Sequence, residues 1–235
     1  MSAWAGLIFG PLGWGPTLAM AAAMTLAVSA AAFVLGLVFG LLGAWAKLSG
    51  VRSAQAAAAT YTTVLRGVPD LLVVYLFYFG GSAGLTAVGH LFGAQGFFGL
   101  SGFAVGAIAI GIISGAYQTE VLRGGYLAIA RGELEAARAV GMGRLLMLRR
   151  IIIPQALRFA LPGMGNVWQG VLKESSLISV TGLVEIMRQV EVGAAYTRLP
   201  FDFYITGALL YLILTTLSGI VFRGAELRVS RFMRA

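Results

Sequence analysis

The sequence predicts an all-α integral membrane protein with five membrane-spanning helices. The 235 residues are 59% hydrophobic and 11% charged, and their mean hydropathy is strongly positive, so the composition lies well outside that of a soluble domain. Long apolar segments recur along the chain, and a hydrocarbon core about 30 Å thick needs roughly 20 apolar residues per helix. The basic residues are concentrated between these segments. The chain therefore has room for several spans and short connections, but for no large soluble domain.

The first two predicted spans cover residues 17–46 and 56–80. The first is uninterrupted and long enough for a tilted helix. The second is unusual because polar and helix-breaking residues lie in its middle, namely Arg66, Pro69 and Asp70. A charge at this depth is costly unless it has a partner or a function.

The third predicted span covers residues 101–121, after a predicted loop at 81–100. The loop is rich in glycine and carries one histidine and no formal charge. The span contains small residues four or five positions apart, which allow close approach between helices in lipid: Gly102, Gly106, Gly111 and Gly115.

The last two predicted spans are 155–172 and 203–222. A basic insert at 123–158 precedes and overlaps the fourth span, and a polar stretch that ends at Asp202 separates it from the fifth. The chain then ends in a basic tail.

The distribution of positive charge predicts the orientation of these spans. Thirteen of the seventeen Lys and Arg residues lie in the 47–52 connection, the insert at 123–158 and the C-terminal tail. The positive-inside rule places those three regions, including the C-terminus, in the cytoplasm. The N-terminus, the 81–100 loop and the stretch at 181–202 are then periplasmic, in a multi-pass protein of the bacterial inner membrane. The N-terminus has no basic residue before its apolar run, so we expect no cleavable signal peptide.

The composition also argues against several classes of function. The net charge of +8 is spread between apolar segments, without a basic surface patch that carries stacking aromatics, so we expect no nucleic-acid partner. The absence of cysteine excludes thiol catalysis and thiolate metal sites. The sequence has no cluster of His, Asp and Glu at ligand spacing, and we expect no metal or other cofactor.

The basic insert has the pattern of two short helices joined by a bend. Residues 131–140 can form a helix with acidic residues in its first turns, where the helix dipole favours them. Gly141 and Gly143 permit a sharp turn, and a second basic helix begins at Arg144. A loop that only enforces topology would explain the charges equally well, but not the spacing of the residues within the insert.

That spacing resembles the EAA signature of ABC importer permeases. The matching positions are Glu135, Ala136, Ala137, Gly141, Ile151, Ile153 and Pro154. The segments RGVPDLLVVYLFYFGG, GAYQTEVLRGG and ALPGMGNVWQGVLKESSLISVTGLVEIMR further resemble the permeases for polar amino acids of the histidine, lysine, arginine and ornithine type, which include opine permeases. The resemblance implies the type I importer fold, with a transmembrane domain at 17–226 and a coupling segment at 131–154 within it.

The resemblance also implies partners and a mechanism. The coupling segment would dock on a cytoplasmic ABC ATPase dimer through Glu135, Ala136, Ala137, Arg138, Gly141 and Arg144. The chain has no phosphate-binding loop of the Gly-x-x-x-x-Gly-Lys-Ser/Thr type, so the ATPase is a separate chain and this chain is not an enzyme. The further implied partners are a homologous permease subunit, a periplasmic solute-binding protein, membrane lipid and an amino acid substrate.

Charges at membrane depth supply the candidate substrate site. The second predicted span is interrupted at Arg66, and the fourth is followed by a second polar interruption beyond Asn166 and Gln169. Two such interruptions indicate a transporter binding site. An amino acid presents a carboxylate and an ammonium group, for which the sequence offers basic, acidic and hydroxyl side chains: Arg66, Asp70, Lys173, Glu174, Ser175 and Ser176. The family resemblance implies that the motifs around Arg66 and Lys173 line a substrate pocket, as they do in at least some members. At the position of Ser175, threonine is commoner in the family.

Other interpretations remain open. Arg66 could pair with Asp70 or Glu174 only to hold helices together, and the protein could be a passive channel. Glu185 and Glu191 could attract a cationic cargo, although a solvated face is the expectation for both.

A membrane-embedded serine hydrolase is a further alternative. Gly80, Ser82 and Gly84 spell the Gly-x-Ser-x-Gly pattern of that class, with His90 as the only possible base. The loop holds no acid that would orient this histidine, so we do not favour this alternative.

Overall fold

A computed structural model describes residues 13–93, 95, 96 and 98–232, without the side chains of 230–232. Every regular element in those residues is helical, which confirms the predicted all-α class. The N-terminal stretch 1–12 and Arg234, whose sides of the membrane were predicted, lie outside the described residues.

The described part of the chain forms nine α-helices. They are α1 Gly15–Leu48, α2 Arg52–Gly67, α3 Asp70–Leu91, α4 Gly102–Leu127, α5 Arg131–Ala139, α6 Arg144–Met147, α7 Ile153–Glu174, α8 Ile186–Thr197 and α9 Pro200–Phe232, as far as the described residues reach. A π-helical turn at Leu76–Gly80 lies inside α3, and a second at Leu148–Ile152 joins α6 to α7 without a loop. A 3₁₀ helix at Ser175–Thr181 follows α7.

Among the described residues, four helices are long and apolar enough to cross a membrane: α1, α3, α4 and α9. Their outer faces carry many exposed large apolar side chains, such as Met20 and Val34 on α1 and Leu217 and Val221 on α9. In water such a surface would be an aggregation liability, whereas lipid tails solvate it at no cost. The predicted fourth span at 155–172 coincides with α7, which is less apolar than these four.

The prediction of one interrupted span at 56–80 followed by a loop was wrong in its boundaries. The chain breaks at Val68 and Pro69, which have extended backbone angles, and a helix then continues to Leu91. Residues 81–91 are therefore helical, although their glycines had indicated a loop. The physical reason is that backbone N–H and C=O groups in an uncharged, apolar segment are best satisfied within a helix when the surroundings offer no water.

Close packing of α1 against α4 forms the centre of the fold. Gly36, Gly40 and Gly43 on α1 lie directly against the side chains of α4, and a Cβ atom at Gly40 would come within 2.7 Å of the Cβ of Gln118. From the other side, a Cβ atom at Gly111 would come within 2.9 Å of Leu35. The prediction that small residues on the third span allow close approach is thus confirmed.

The segment between α7 and α9 is fixed by a buried carboxylate. Glu185 is fully buried and caps α8, because its two carboxylate oxygens accept hydrogen bonds from the backbone N–H groups of Met187 and Arg188 at 2.9 and 2.7 Å. The hydroxyl of Tyr211 on α9 donates to the same carboxylate at 2.9 Å. The expectation of a solvated face was wrong for Glu185, since the residue anchors α8 to α9.

Candidate functional site

The break between α2 and α3 places Arg66 beside α4. Arg66 ends α2, and its guanidinium lies over the ring of Tyr117, 5.3 Å from the ring centroid. The hydroxyl of Tyr61, one and a half turns earlier, donates to the backbone oxygen of Ile112 at 2.6 Å and holds α2 against the middle of α4. Asp70 begins α3, where the helix dipole favours a carboxylate.

A cavity of about 330 Å³ lies between α4 and α7, and we call it the α4–α7 cavity. Its lining residues are Ser114, Tyr117, Asn166, Val167, Gly170, Val171 and Glu174. One carboxylate oxygen of Glu174 is buried without a hydrogen-bond partner among the described residues. A buried acceptor without a hydrogen-bond donor destabilises the fold, so this oxygen is suited to accept a hydrogen bond from a ligand.

The six predicted substrate residues do not all meet in this cavity. Lys173 and Ser176 line a separate cavity of about 430 Å³ between α7, α8 and α9. Ser175 is fully buried and donates its hydroxyl hydrogen to the backbone oxygen of Leu172 at 2.7 Å. Neighbouring positions on a helix point about 100° apart, which is why the Lys173 and Glu174 side chains reach different cavities.

The interpretation of Arg66 as half of a purely structural ion pair finds no support in the described part of the chain. The ion pairs found there are Lys47 with Glu120, Arg123 with Glu120, and Arg188 with Glu191. Neither Asp70 nor Glu174 contacts Arg66 in this way. The guanidinium of Arg66 instead remains available beside the aromatic ring.

Sequence reasoning missed a polar network that joins α1, α2 and α4. Lys47 forms an ion pair with Glu120 and donates to the hydroxyl of Thr62 at 2.6 Å, while Arg123 pairs with the second oxygen of Glu120 at 3.1 Å. The charges themselves stand out in an apolar sequence. Their pairing over a separation of 73 residues has no local signal in the sequence.

Within residues 131–154, the predicted coupling segment, two short helices are joined at a left-handed glycine. Gly141 has a φ of 73°, a conformation that side chains with a Cβ atom disfavour, so glycine fits the bend. Glu135, Ala136 and Arg138 are exposed on α5, whereas Ala137 is buried.

A groove of about 600 Å³ lies at this bend. It is lined by Arg138, Met142, Arg144, Met147, Leu148 and Ile152. Next to it, the apolar side chains of Val140 and Leu145 are each 78% exposed. The segment thus presents basic and apolar groups together, which suits a protein partner better than open water.

The hydrolase pattern does not form a catalytic pair. The hydroxyl of Ser82 accepts a hydrogen bond from the backbone of Leu100 at 3.3 Å, and His90 lies against the backbone oxygen of Gly96 at 3.0 Å. Ser82 is also buried on α3. Neither residue contacts the other, so this geometry gives no support to a serine nucleophile activated by His90.

Comparisons with known proteins agree with these features. The family model for the binding-protein-dependent transport system inner membrane component matches residues 36–231. The octopine transport system permease protein of Rhizobium radiobacter is 62% identical over 223 residues, which are 95% of this chain and 94% of that protein. The histidine/lysine/arginine/ornithine transport system permease protein of Escherichia coli (strain K12) is 37% identical over 93% of this chain and 95% of its own length.

A solved structure shares the fold. A crystal structure of an amino acid ABC transporter with histidines superimposes with a TM-score of 0.77 at 32% sequence identity, and the match covers 92% of this chain and 95% of that chain. The agreement extends over almost the whole chain, so it concerns the complete helical arrangement and not one motif.

Proposed function

The chain belongs to the family of binding-protein-dependent transport system inner membrane components, the permease subunits of ABC importers, and we propose that its cargo is an opine or a basic amino acid. ATP hydrolysis in this family occurs in separate ATPase subunits, and a solute-binding protein delivers the cargo. The observation that carries the proposed cargo is the 62% identity with an octopine permease over 95% of the chain.

The proposed substrate site centres on Arg66 and the α4–α7 cavity. Arg66 is suited to grip a carboxylate, since its guanidinium has no acidic partner among the described residues. The unpartnered oxygen of Glu174 would accept a cationic nitrogen, and Asp70 would add negative charge nearby. Octopine and the basic amino acids carry both kinds of group.

The remaining predicted substrate residues take supporting places in this proposal. Lys173 and Ser176 would contact the cargo as it passes the neighbouring cavity, in which they lie. Ser175 would hold the end of α7 in place through its bond to Leu172.

The proposed coupling surface is the segment 131–154. Glu135, Ala136 and Arg138 would contact the ATPase, with Ala137 packed behind them and Arg144 beside the groove. The exposed apolar residues at the bend support this role, because contact with a partner would remove them from water.

We further propose five spans, formed by α1, the broken pair α2 and α3, α4, α7 and α9. With the positive-inside rule, the C-terminus and the coupling segment are then cytoplasmic and the N-terminus periplasmic. The less apolar α7 would be shielded from lipid by a homologous permease subunit, which completes the cargo pathway.

Uptake by the reconstituted importer tests this function. The complex of both permease subunits and the ATPase is reconstituted in proteoliposomes together with the binding protein. It should import labelled arginine or octopine only when ATP is supplied on the side of the membrane that carries the ATPase. Arg66→Ala should abolish uptake and leave the assembly intact, whereas Arg188→Ala, which removes an exposed arginine outside the cavity, should not. Uptake without ATP would indicate a channel, and normal uptake by Arg66→Ala would overturn the site.

A further inference from the structure

A polar cleft between α7 and α9 lies next to the proposed substrate site, and we call it the inner cleft. Its volume is about 490 Å³, and polar groups from both helices line it: Asn166, Gln169, Thr215, Thr216, Arg223 and Glu226. Asn166 also lines the α4–α7 cavity. One amide side chain thus stands between the two spaces.

The walls of the inner cleft carry both signs of charge. Arg223 and Glu226 lie one turn apart on α9, and neither belongs to an ion pair among the described side chains. Both residues lie just beyond the predicted end of the fifth span at residue 222, on the side that the positive-inside rule assigns to the cytoplasm, where water reaches the mouth of the cleft. A guanidinium and a carboxylate in one cleft complement a ligand that carries both an anionic and a cationic group.

A glycine of α9, Gly219, lines the inner cleft opposite α7. A Cβ atom at Gly219 would lie 3.7 Å from the amide nitrogen of Gln169, which is ordinary contact distance. On α7, Pro162 lines the wall and cannot donate a backbone hydrogen bond within the helix, so one carbonyl of the preceding turn lacks its usual donor. Any side chain larger than a methyl group at Gly219 would project into the space.

We propose that the inner cleft is a second binding site for the zwitterionic cargo, which enters it past Asn166 before release to the cytoplasm. Arg223 binds the carboxylate of the cargo, and Glu226 binds its cationic nitrogen. This inference rests on the proposed function and on the cytoplasmic position of the end of α9. A zwitterionic phospholipid headgroup carries the same pair of charges and is the other source of such a ligand.

Equilibrium dialysis of labelled arginine against the purified, nucleotide-free complex tests the inner cleft. The wild-type complex should show two classes of sites for each copy of this chain. Gly219→Leu should weaken arginine binding at the inner cleft at least tenfold. It should leave intact the class of sites that Arg66→Ala removes. Gly224→Leu is the matched control, since a Cβ atom at this glycine of α9 would meet nothing within 4 Å, and it should keep both classes.

Two results would overturn the inference. One is a single class of arginine sites in the wild-type complex, removed by Arg66→Ala and unaffected by Gly219→Leu. The other result is that phosphatidylethanolamine copurifies with the wild type and with Gly224→Leu but not with Gly219→Leu, while all three bind arginine equally. The cleft would then hold a lipid headgroup. Import by the wild-type complex is measured separately, so failure of the inner cleft is distinguishable from failure of the proposed function.

Discussion

A methyl group added at Gly43 tests whether the close packing of α1 against α4 determines the stability of the bundle. The new Cβ atom would lie 2.9 Å from the Cγ2 and 3.2 Å from the Cβ of Thr119, and closer still to its hydroxyl oxygen. Thr119 is fully buried, and its hydroxyl donates to the backbone oxygen of Gly115 at 2.8 Å, so it has little room to rotate away. Overpacking of this kind costs about 1 to 3 kcal/mol.

The gain in helix propensity opposes this cost and has to be measured in a control. Replacing glycine with alanine inside a helix stabilises the helix by about 1 kcal/mol. Gly84→Ala supplies that gain alone, because Gly84 lies in the helical segment Gly81–Leu91 and a Cβ atom there meets nothing within 4 Å. The free energy of unfolding, measured by titrating SDS into mixed micelles, should therefore be about 1 to 3 kcal/mol lower for Gly43→Ala than for Gly84→Ala.

A second substitution identifies the atoms responsible. Thr119→Ala removes both branch atoms that the new methyl group would meet, so the cost of Gly43→Ala in that background should fall by at least about 1 kcal/mol, within the usual range for residues in contact. Equal unfolding free energies for Gly43→Ala and Gly84→Ala would refute the packing argument. An unchanged cost in the Thr119→Ala background would show that other atoms cause the effect.

Three further predictions concern the glycine at the bend between α5 and α6, the buried carboxylate of Glu185 and the hydroxyl of Ser82. Gly141→Ala, which forces a Cβ atom into a φ of 73°, should reduce ATP-driven uptake several-fold, whereas Gly132→Ala on α5, where a Cβ atom meets nothing within 4 Å, should not. Burial raises the pKa of the Glu185 carboxyl. The stability that this shift contributes should therefore be fully present below the ordinary carboxyl pKa and decline as the pH rises through the raised value. In Glu185→Gln, the free energy of unfolding should no longer decline over that pH range. Ser82→Ala should leave uptake unchanged within about twofold, because the hydrogen bond that the Ser82 hydroxyl makes in the described structure comes from the backbone N–H of Leu100.

The helical class and most of the spans were predictable because lipid imposes strong rules on composition. Apolar runs of sufficient length identified α1 within two residues at both ends and the starts of α4 and α9 within three, whereas α4 and α9 continue six and ten residues beyond the predicted ends at 121 and 222. The extent of α3 was harder to predict, because Pro69 marks the break after α2 but does not show where the following helix ends. That end depends on the environment of residues 81–91, which a glycine count does not reveal.

The candidate site was predictable in its residue types but not in its arrangement. Arg66 and Glu174 stand out because charges are rare in apolar segments. The partner of Arg66 turned out to be the ring of Tyr117, an ordinary residue on a distant helix. Glu185 was misjudged because its burial depends on Tyr211, 26 residues later, and such contacts leave no local trace in the sequence.

The connection between the coupling segment and the proposed substrate site follows from which helices they share. The α4–α7 cavity lies between the two helices that flank the coupling segment. α4 ends at Leu127, four residues before α5, while α6 continues through a π-helical turn directly into α7. A helix of 26 residues is about 39 Å long and moves largely as a rigid rod. A displacement of residues 131–154 would therefore reach one wall of the cavity directly through α7 and the other through the three residues that join α4 to α5, and rotation of α7 alone would change the distance between Glu174 and Arg66.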